Sequence, residues 1–261
     1  MKTTSDIKGK KVLLVGSTGI LGKTHAKILA DLGCDLVIAD RPESNVSEFA
    51  KELDVQGLTM DVLSENSVSE GVASAVNSLG GLDGVVFNAA VTGESLVKFD
   101  NPFPDFDDYP LDLWNRVIDV NLTGAFLVAR ETGPALRKDG GGSLIMVSSI
   151  YGVVAPDHRI YEGQPFSSFP GYSASKAGII GLSKWLATLW AMDDVRVNNV
   201  SPGGVYNNHS KEFDDAYSNR TPMGRMARPD DITGAIVYLL SDASKYFTGQ
   251  NMVVDGGLSC W

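Results

Sequence analysis

Tyr172 and Lys176, in the stretch YSASK (172–176), stand four positions apart with small residues between them. On a helix, positions i and i+4 share a face, so the phenol and the ammonium can act at one point. A free phenol titrates at about 10, too high to exchange protons readily at neutral pH. A neighbouring cation favours the phenolate and lowers that value, which makes a general acid and base out of a tyrosine. Tyr172 is the only one of eight tyrosines with a lysine four residues on. The same spacing also occurs on solvated helix faces as an ordinary polar pair. The surrounding elements must decide between the two readings.

Those elements alternate along the chain. KVLLV (11–15), DLVIAD (35–40), GLTMDV (57–62), LDGVVFNA (82–89), SLIMVSS (143–149) and VRVNNVSP (195–202) read as strands. Helical periodicity fills 19–33, about 43–54, about 64–79, a long stretch of about 110–138, and about 170–192 around YSASK. A loop rich in Pro, Asp and Phe (99–108) precedes the long helix. Short apolar strands separated by helices imply a parallel sheet covered on both faces. With no solenoid repeat and no linker, the expectation is an α/β Rossmann fold, one doubly wound domain over residues 1–261.

The first strand-to-helix turn, GSTGILG, carries Gly16, Gly19 and Gly22. A glycine turn here lets the backbone approach a pyrophosphate and opens a helix whose N-terminus favours anions. The alternative is a tight turn with no ligand. Asp40 ends the second strand, 18 residues beyond Gly22. A carboxylate there accepts from both ribose hydroxyls of an adenosine and repels a 2′-phosphate, which favours NAD over NADP. Arg41 follows directly and can pair with such a phosphate, which keeps NADP open. Asp61, after the third strand, is placed to hold an adenine amino group or to be a solvated turn residue.

Composition narrows the partners. Of 261 residues, 43% are apolar, enough for a core. The apolar runs are strand-length, far short of the roughly 18 residues that span a bilayer. The polar opening MKTTSDIKGKK is read as a cytoplasmic start without a signal segment. The two cysteines, Cys34 and Cys260, suggest a reduced compartment, and no Cys/His spacing resembles a metal site. With 22 basic and 32 acidic side chains the formal charge is −10, and no Lys/Arg stripe suits nucleic acid. A small-molecule partner is expected.

Together these residues resemble the short-chain dehydrogenase/reductase family over nearly the whole chain. The glycine turn, DV (61–62), FNAA (87–90), NLTGAF (121–126), SS (148–149), YSASK and NVSPGG (199–204) occur in the family's order. The C-terminal RMARPDDITGAIVYLLSDASKYFTGQNMVVDGG is similar to the family's closing helix and strand. The resemblance implies an acid/base role for Tyr172. It implies that Lys176 lowers the pKa of Tyr172 and holds the nicotinamide ribose. Ser149 would bond the reacting oxygen, with Ser148 as competitor. Asn121 would shape the long helix and hold a relay water. Cofactor contacts would come from Gly16, Ser17, Gly19, Ile20, Leu21, Gly22, Asp40, Arg41, Asp61, Val62, Asn88, Ala89, Ala90, Tyr172, Lys176, Pro202, Gly203 and Val205. A homo-oligomer, tetramer or dimer, is also implied, with the helices near 110–138 and 170–192 meeting through Trp114, Phe126, Leu127, Trp185, Leu186, Leu189 and Trp190; the alternative is that these all face the core.

Three departures matter. The glycine spacing is closer to the extended branch of sugar-nucleotide epimerases and dehydratases, though length and the TGQ…VDGG ending fit the shorter dehydrogenases. Ala90 stands in a glycine place, and Asn207 where a threonine is common. Ser149 and Tyr172 are 23 residues apart, a longer separation than the family usually shows. The extra stretch, PDHRIYEGQPFSSFPG (156–171), is expected to form the substrate wall with YNNHSK (206–211), through Arg159, Tyr161 and Asn207; the alternative is a surface loop or a subunit contact. Its polar groups suit a hydroxylated or phosphorylated ligand and suggest a sugar-like substrate, with weaker similarity to bacterial surface-sugar and flagellin-glycan enzymes. The expected activity is hydride transfer between NAD(H) and an alcohol or ketone. An epimerase or dehydratase with tightly bound NAD, or a catalytically silent cofactor sensor, are the alternatives.

Overall fold

The computed structural model describes residues 5–97, 101, 103–138 and 140–261, so residues 99, 100 and 102 of the expected loop at 99–108 lie outside the described ones. In chain order the elements are β1 (Lys11–Val15), α1 (Ile20–Asp31), β2 (Asp35–Asp40), α2 (Val46–Glu52), β3 (Gln56–Thr59), α3 (Glu65–Leu79), β4 (Gly84–Phe87) and α4 (Gly93–Leu96). There follow α5 (Leu111–Ile118), α6 (Gly124–Lys138), β5 (Ser143–Val147), α7 (Pro170–Leu189), β6 (Arg196–Pro202), α8 (Lys211–Ser218), α9 (Pro229–Leu240) and β7 (Asn251–Val254). The strands form one parallel sheet in the order β3-β2-β1-β4-β5-β6-β7. The order reverses between β1 and β4, and in such sheets the crevice at the strands' carboxyl ends is where ligands bind.

The central strands are buried on both faces, which is why β4 (GVVF) and β5 (SLIMV) show no polar alternation. One core packs α3, α6 and α7 on a face of the sheet through residues such as Val72, Val128, Leu136 and Ile179. The other packs α1, α2 and α9 on the opposite face through Leu29, Ala50, Ile232 and Ile236. Within it, the buried His25 of α1 meets Thr233 of α9 at 2.8 Å, and burial lowers the imidazole pKa to about 4. That histidine is therefore neutral at physiological pH and acts as a packing residue.

Three elements differ from the sequence reading for local reasons. The strand expected over 57–62 stops at Thr59. Beyond it the Asp61 N–H donates to Ser67 Oγ and the Asp61 carboxylate accepts from the Leu63 N–H, which turns the chain. The single helix expected over 110–138 is interrupted by a π-helical turn, Asp119–Thr123, centred on Asn121. The helix expected to reach 192 ends at Leu189, and Asp194 in the left-handed region (φ 57°) completes the reversal into β6.

The apolar residues proposed for a helix contact divide. Leu127, Leu186 and Trp190 are buried in the core and Trp114 is half-buried, whereas Phe126, Trp185 and Leu189 are 46%, 62% and 54% exposed. Among the described residues no helix is long and apolar enough to cross a membrane, and no group of three His, Cys, Asp or Glu is placed to hold a metal.

Candidate active site

One cleft of about 1020 Å³ runs over the carboxyl ends of the strands, from Asp40 and Arg41 at one end to Tyr161, Phe166 and Phe213 at the other. It brings together most residues singled out from the sequence, although they come from eight separate segments of the chain.

At the first end the three glycines do different work. Gly16 has φ +85°, and a Cβ there would lie 2.3 Å from the Ala89 nitrogen. Gly22 is covered, since a Cβ would lie 2.2 Å from the Gly16 carbonyl oxygen, so it serves close packing of helix on turn and does not line the cleft. A Cβ at Gly19 would meet no atom within 4 Å, and Gly19 lines the cleft together with Ile20 and Leu21. Helix α1 begins there with no side-chain cap and no acidic residue in its first turn. Its leading N–H groups and the open space at Gly19 thus form a cradle of the kind a phosphate fills. Asn88 buttresses the turn by donating from Nδ2 to the Gly16 carbonyl at 2.7 Å.

Ser17 departs from expectation. It is fully buried, its hydroxyl donates to the Ala39 carbonyl at 3.2 Å, and it does not line the cleft. The cleft is lined there instead by Thr18, which sequence reasoning passed over. Its N–H and its hydroxyl each donate to Asp40 Oδ2 at 2.7 Å, while the Arg41 N–H donates to Oδ1 at 2.8 Å. Asp40 is thereby fixed at the rim, with one lone-pair site, on Oδ1, left over for a hydroxyl donor. Asp61, Val62, Asn88, Ala89, Ala90, Pro202, Gly203, Val205 and Asn207 all line the cleft between its ends.

The chemical residues meet in the middle. Pro170 starts α7 and fixes its first turn, so Tyr172 and Lys176 stand one turn apart on the face toward β5. Lys176 is only 2% exposed. Its Nζ donates to the Val147 carbonyl at 2.9 Å and lies 5.5 Å from the centre of the Tyr172 ring. Burial lowers the Lys176 pKa to about 7. Gly152 allows the turn after β5 to pass against α7, since a Cβ there would lie 2.7 Å from the Lys176 carbonyl carbon.

The two serines are distinguished by their partners. Ser148 donates to the Lys176 carbonyl at 2.7 Å and is committed to packing β5 on α7. Ser149 accepts the Tyr151 N–H at 3.1 Å and keeps its own hydroxyl proton to donate. Asn121 is fully buried and does not line the cleft. Its Oδ1 accepts the Val91 N–H at 2.7 Å and its Nδ2 donates to Ser175 Oγ at 3.0 Å, so the amide in the π turn clamps the exit of β4 to α7.

On the substrate side Tyr161 lines the cleft, but Arg159 does not. The Arg159 side chain is 78% exposed and spends its guanidinium on Asp157, with Nε to Oδ1 at 2.8 Å and Nη2 to Oδ2 at 2.9 Å. A carboxylate two residues away is the nearer anion, and it turns the arginine toward solvent. Tyr151 and Tyr217, not proposed as site residues from the sequence, do line the cleft, as does His209 of the stretch 206–211 expected to join the wall.

The family model described as Enoyl-(Acyl carrier protein) reductase matches residues 16–259. A sorbose reductase of Schizosaccharomyces pombe is 33% identical over 268 residues, covering 98% of this chain and 98% of its own. An NADP-dependent mannitol dehydrogenase of Hypocrea jecorina is 34% identical over 264 residues, covering 96% and 92%. Among solved structures, a short-chain dehydrogenase from Leptospira borgpetersenii with bound NAD+ matches with a TM-score of 0.84 at 31% identity, over 99% of this chain and 96% of that one. The chain belongs to the short-chain dehydrogenase/reductase family. It is accordingly an NAD(P)-dependent oxidoreductase that acts on an alcohol or ketone.

Proposed function

We propose that the protein is an NAD(H)-preferring dehydrogenase/reductase of a neutral, hydroxylated, sugar-like substrate. The observation that carries this reading is the cleft itself, with Asp40 fixed at one end and Ser149, Tyr172 and Lys176 gathered in the middle. Segments 150–171 and 204–225 form the substrate side. The names of the sorbose and mannitol relatives support the substrate class.

A bound nicotinamide supplies or accepts the hydride. The residues manage everything else. Ser149 donates its hydroxyl proton to the reacting oxygen and holds it beside Tyr172. Tyr172 gives its proton to that oxygen in reduction and takes it back in oxidation. Lys176 in its charged form favours the phenolate and supplies further N–H donors for the ribose. Asn121 positions α7 through Ser175 without touching the substrate. The initial test is a panel of ketoses, polyols, plain ketones and a β-ketoacyl thioester, followed at the nicotinamide absorbance. Turnover confined to the thioester would displace the sugar reading.

Wild-type protein is expected to show a higher kcat/KM with NAD than with NADP, because the Asp40 carboxylate would face the added phosphate. Asp40→Ser should move the ratio toward NADP by about tenfold or more, with Arg41 then able to pair with the phosphate. A wild type that prefers NADP would contradict the role given to Asp40.

We also propose self-association through the outer faces of α6 and α7. Phe126, Trp185 and Leu189 are large, apolar and exposed there, as expected of a surface that a second copy covers. Light scattering at micromolar concentration should give a multiple of the chain mass, and Trp185→Glu should reduce it. A wild-type monomer would refute this.

A further inference from the structure

The cleft's substrate end carries an arrangement that the reaction itself does not require. Tyr151 sits in the short turn that follows Ser149, and its hydroxyl lies 2.8 Å from that of Tyr161, contributed by the segment between β5 and α7. Both side chains line the cleft. Two phenols that share one hydrogen bond still present one free O–H donor and unused acceptor lone pairs. A substrate hydroxyl, itself both donor and acceptor, complements that pair; a methylene group does not.

The pair is held rigidly. Tyr161 packs on Phe166 (6.0 Å between ring centres, edge-on) and on Phe213 of α8 (5.5 Å). Phe166 and Phe213 are themselves 5.0 Å apart. Asp157 accepts from Arg220, and Ser210 donates to Gln164 at 2.9 Å, so the segment before α7 and the segment around α8 form one wall. The Tyr217 hydroxyl accepts the Gly204 N–H, which leaves its proton to donate as well. Burial raises the pKa of Tyr151, Tyr161 and Tyr217, so all three phenols are neutral at physiological pH.

The arginines of this wall are spent. Arg159 and Arg220 both serve Asp157, and neither lines the cleft. The cations that do line it are Arg41 at the Asp40 end, Arg116 of α5, and Lys176 beneath Tyr172; none belongs to the wall. Its chemistry is aromatic faces with neutral hydroxyls and the His209 imidazole, whose Nδ1 accepts the Asn207 N–H. That combination suits a polyol chain or sugar carbon skeleton better than a phosphate.

We propose that Tyr151 and Tyr161 together bind a substrate hydroxyl on a carbon near the reacting one, and so select neutral hydroxy ketones and polyols over ketones without hydroxyls and over phosphorylated sugars. This rests on the oxidoreductase reading of the same cleft. The pair acts on specificity, not on the proton transfer.

The test compares ketones matched in carbon number and carbonyl position: L-erythrulose with 2-butanone, and D-fructose and L-sorbose with 2-hexanone, plus fructose 6-phosphate, each with NADH and NADPH. Wild type, Tyr151→Phe and Tyr161→Phe are assayed, with cofactor affinity and melting temperature measured on each. Phenylalanine keeps the ring packing and removes only the hydroxyl. Wild type should favour a hydroxy ketone over its plain partner by at least about a hundredfold in kcat/KM, because an unfilled polar site penalises the analogue that lacks the hydroxyl. Each variant should lose about tenfold on the hydroxy ketone, chiefly in KM, and less than about twofold on the plain ketone, the scale of one neutral hydrogen bond. Cofactor affinity should not move. Equal losses on both ketones, or a wild type that prefers the plain ketone or the phosphorylated sugar, would overturn the proposal and leave the oxidoreductase reading standing. No turnover of any ketone with either cofactor would overturn both.

Discussion

Tyr172→Phe is expected to abolish practical turnover while cofactor affinity stays within about twofold of wild type. The variant keeps the ring that packs on Phe169, at 5.5 Å between centres, and removes only the hydroxyl. General acid–base catalysis by a positioned side chain contributes roughly a hundred- to ten-thousandfold, and that is the loss to expect in kcat. Steady-state rates at saturating cofactor, with a fluorescence titration of cofactor binding, separate the two effects. Substantial activity in the purified variant would remove Tyr172 from its role, whatever the fate of Ser149.

Lys176→Met should do two opposite things, and the opposition is informative. Activity should fall by a factor similar to that of Tyr172→Phe, with weaker cofactor binding as well, because the phenol loses its cation. Stability of the cofactor-free protein should rise. Burial lowers the lysine pKa from 10.5 to about 7, so between those values the unfolded chain binds one more proton than the folded one. The free energy of unfolding therefore increases with pH across that window, and the full penalty of burying the charge is present below it. Methionine removes the penalty at the cost of the Val147 hydrogen bond. The net gain is expected to be about 2 kcal/mol at pH values below 7, shrinking as the pH approaches that of free lysine. Melting temperatures of wild type and variant across that range check the sign. A variant less stable than wild type at every pH would mean that Lys176 serves structure before chemistry.

Much of this site is readable in the sequence because the pieces that carry it are local. The tyrosine and lysine share one helix turn, the glycines share one loop, and Asp40 ends a strand whose apolar run is unmistakable. What could not be read are the consequences of packing between distant segments. Ser17 looks like a ligand-facing residue of the turn, yet the carbonyl of Ala39 in the neighbouring strand captures it, and Thr18 takes the outward position. Ser148 and Ser149 are adjacent and alike; only the Lys176 carbonyl across the gap tells them apart. Arg159 belongs to the stretch expected to face the substrate, yet Asp157, two residues earlier, holds its guanidinium. The π turn at Asn121 escapes helical periodicity because one extra residue in a turn leaves the apolar pattern on either side nearly intact. Tyr217, 45 residues beyond Tyr172, carries no signal of its own until α8 folds over the cleft.

The sheet order has a bearing on how such a chain changes over generations. The Asp40 end of the cleft comes from the strands before the reversal, and Ser149, Tyr172 and Lys176 come from the end of β5 and from α7 after it. The wall that judges the substrate belongs to neither group. It is drawn from two crossovers, one after β5 and one after β6, whose aromatic and ionic contacts are made largely with each other. Drift in those two stretches, away from Ser149, Gly203 and Val205, is expected to alter what is accepted without disturbing how the reaction is done or which dinucleotide drives it. The pair must drift together, however, since a change at Asp157 or Phe166 is felt at Arg220 or Phe213. Heritable novelty in this protein is therefore expected as covariation between two loops over an otherwise stationary frame.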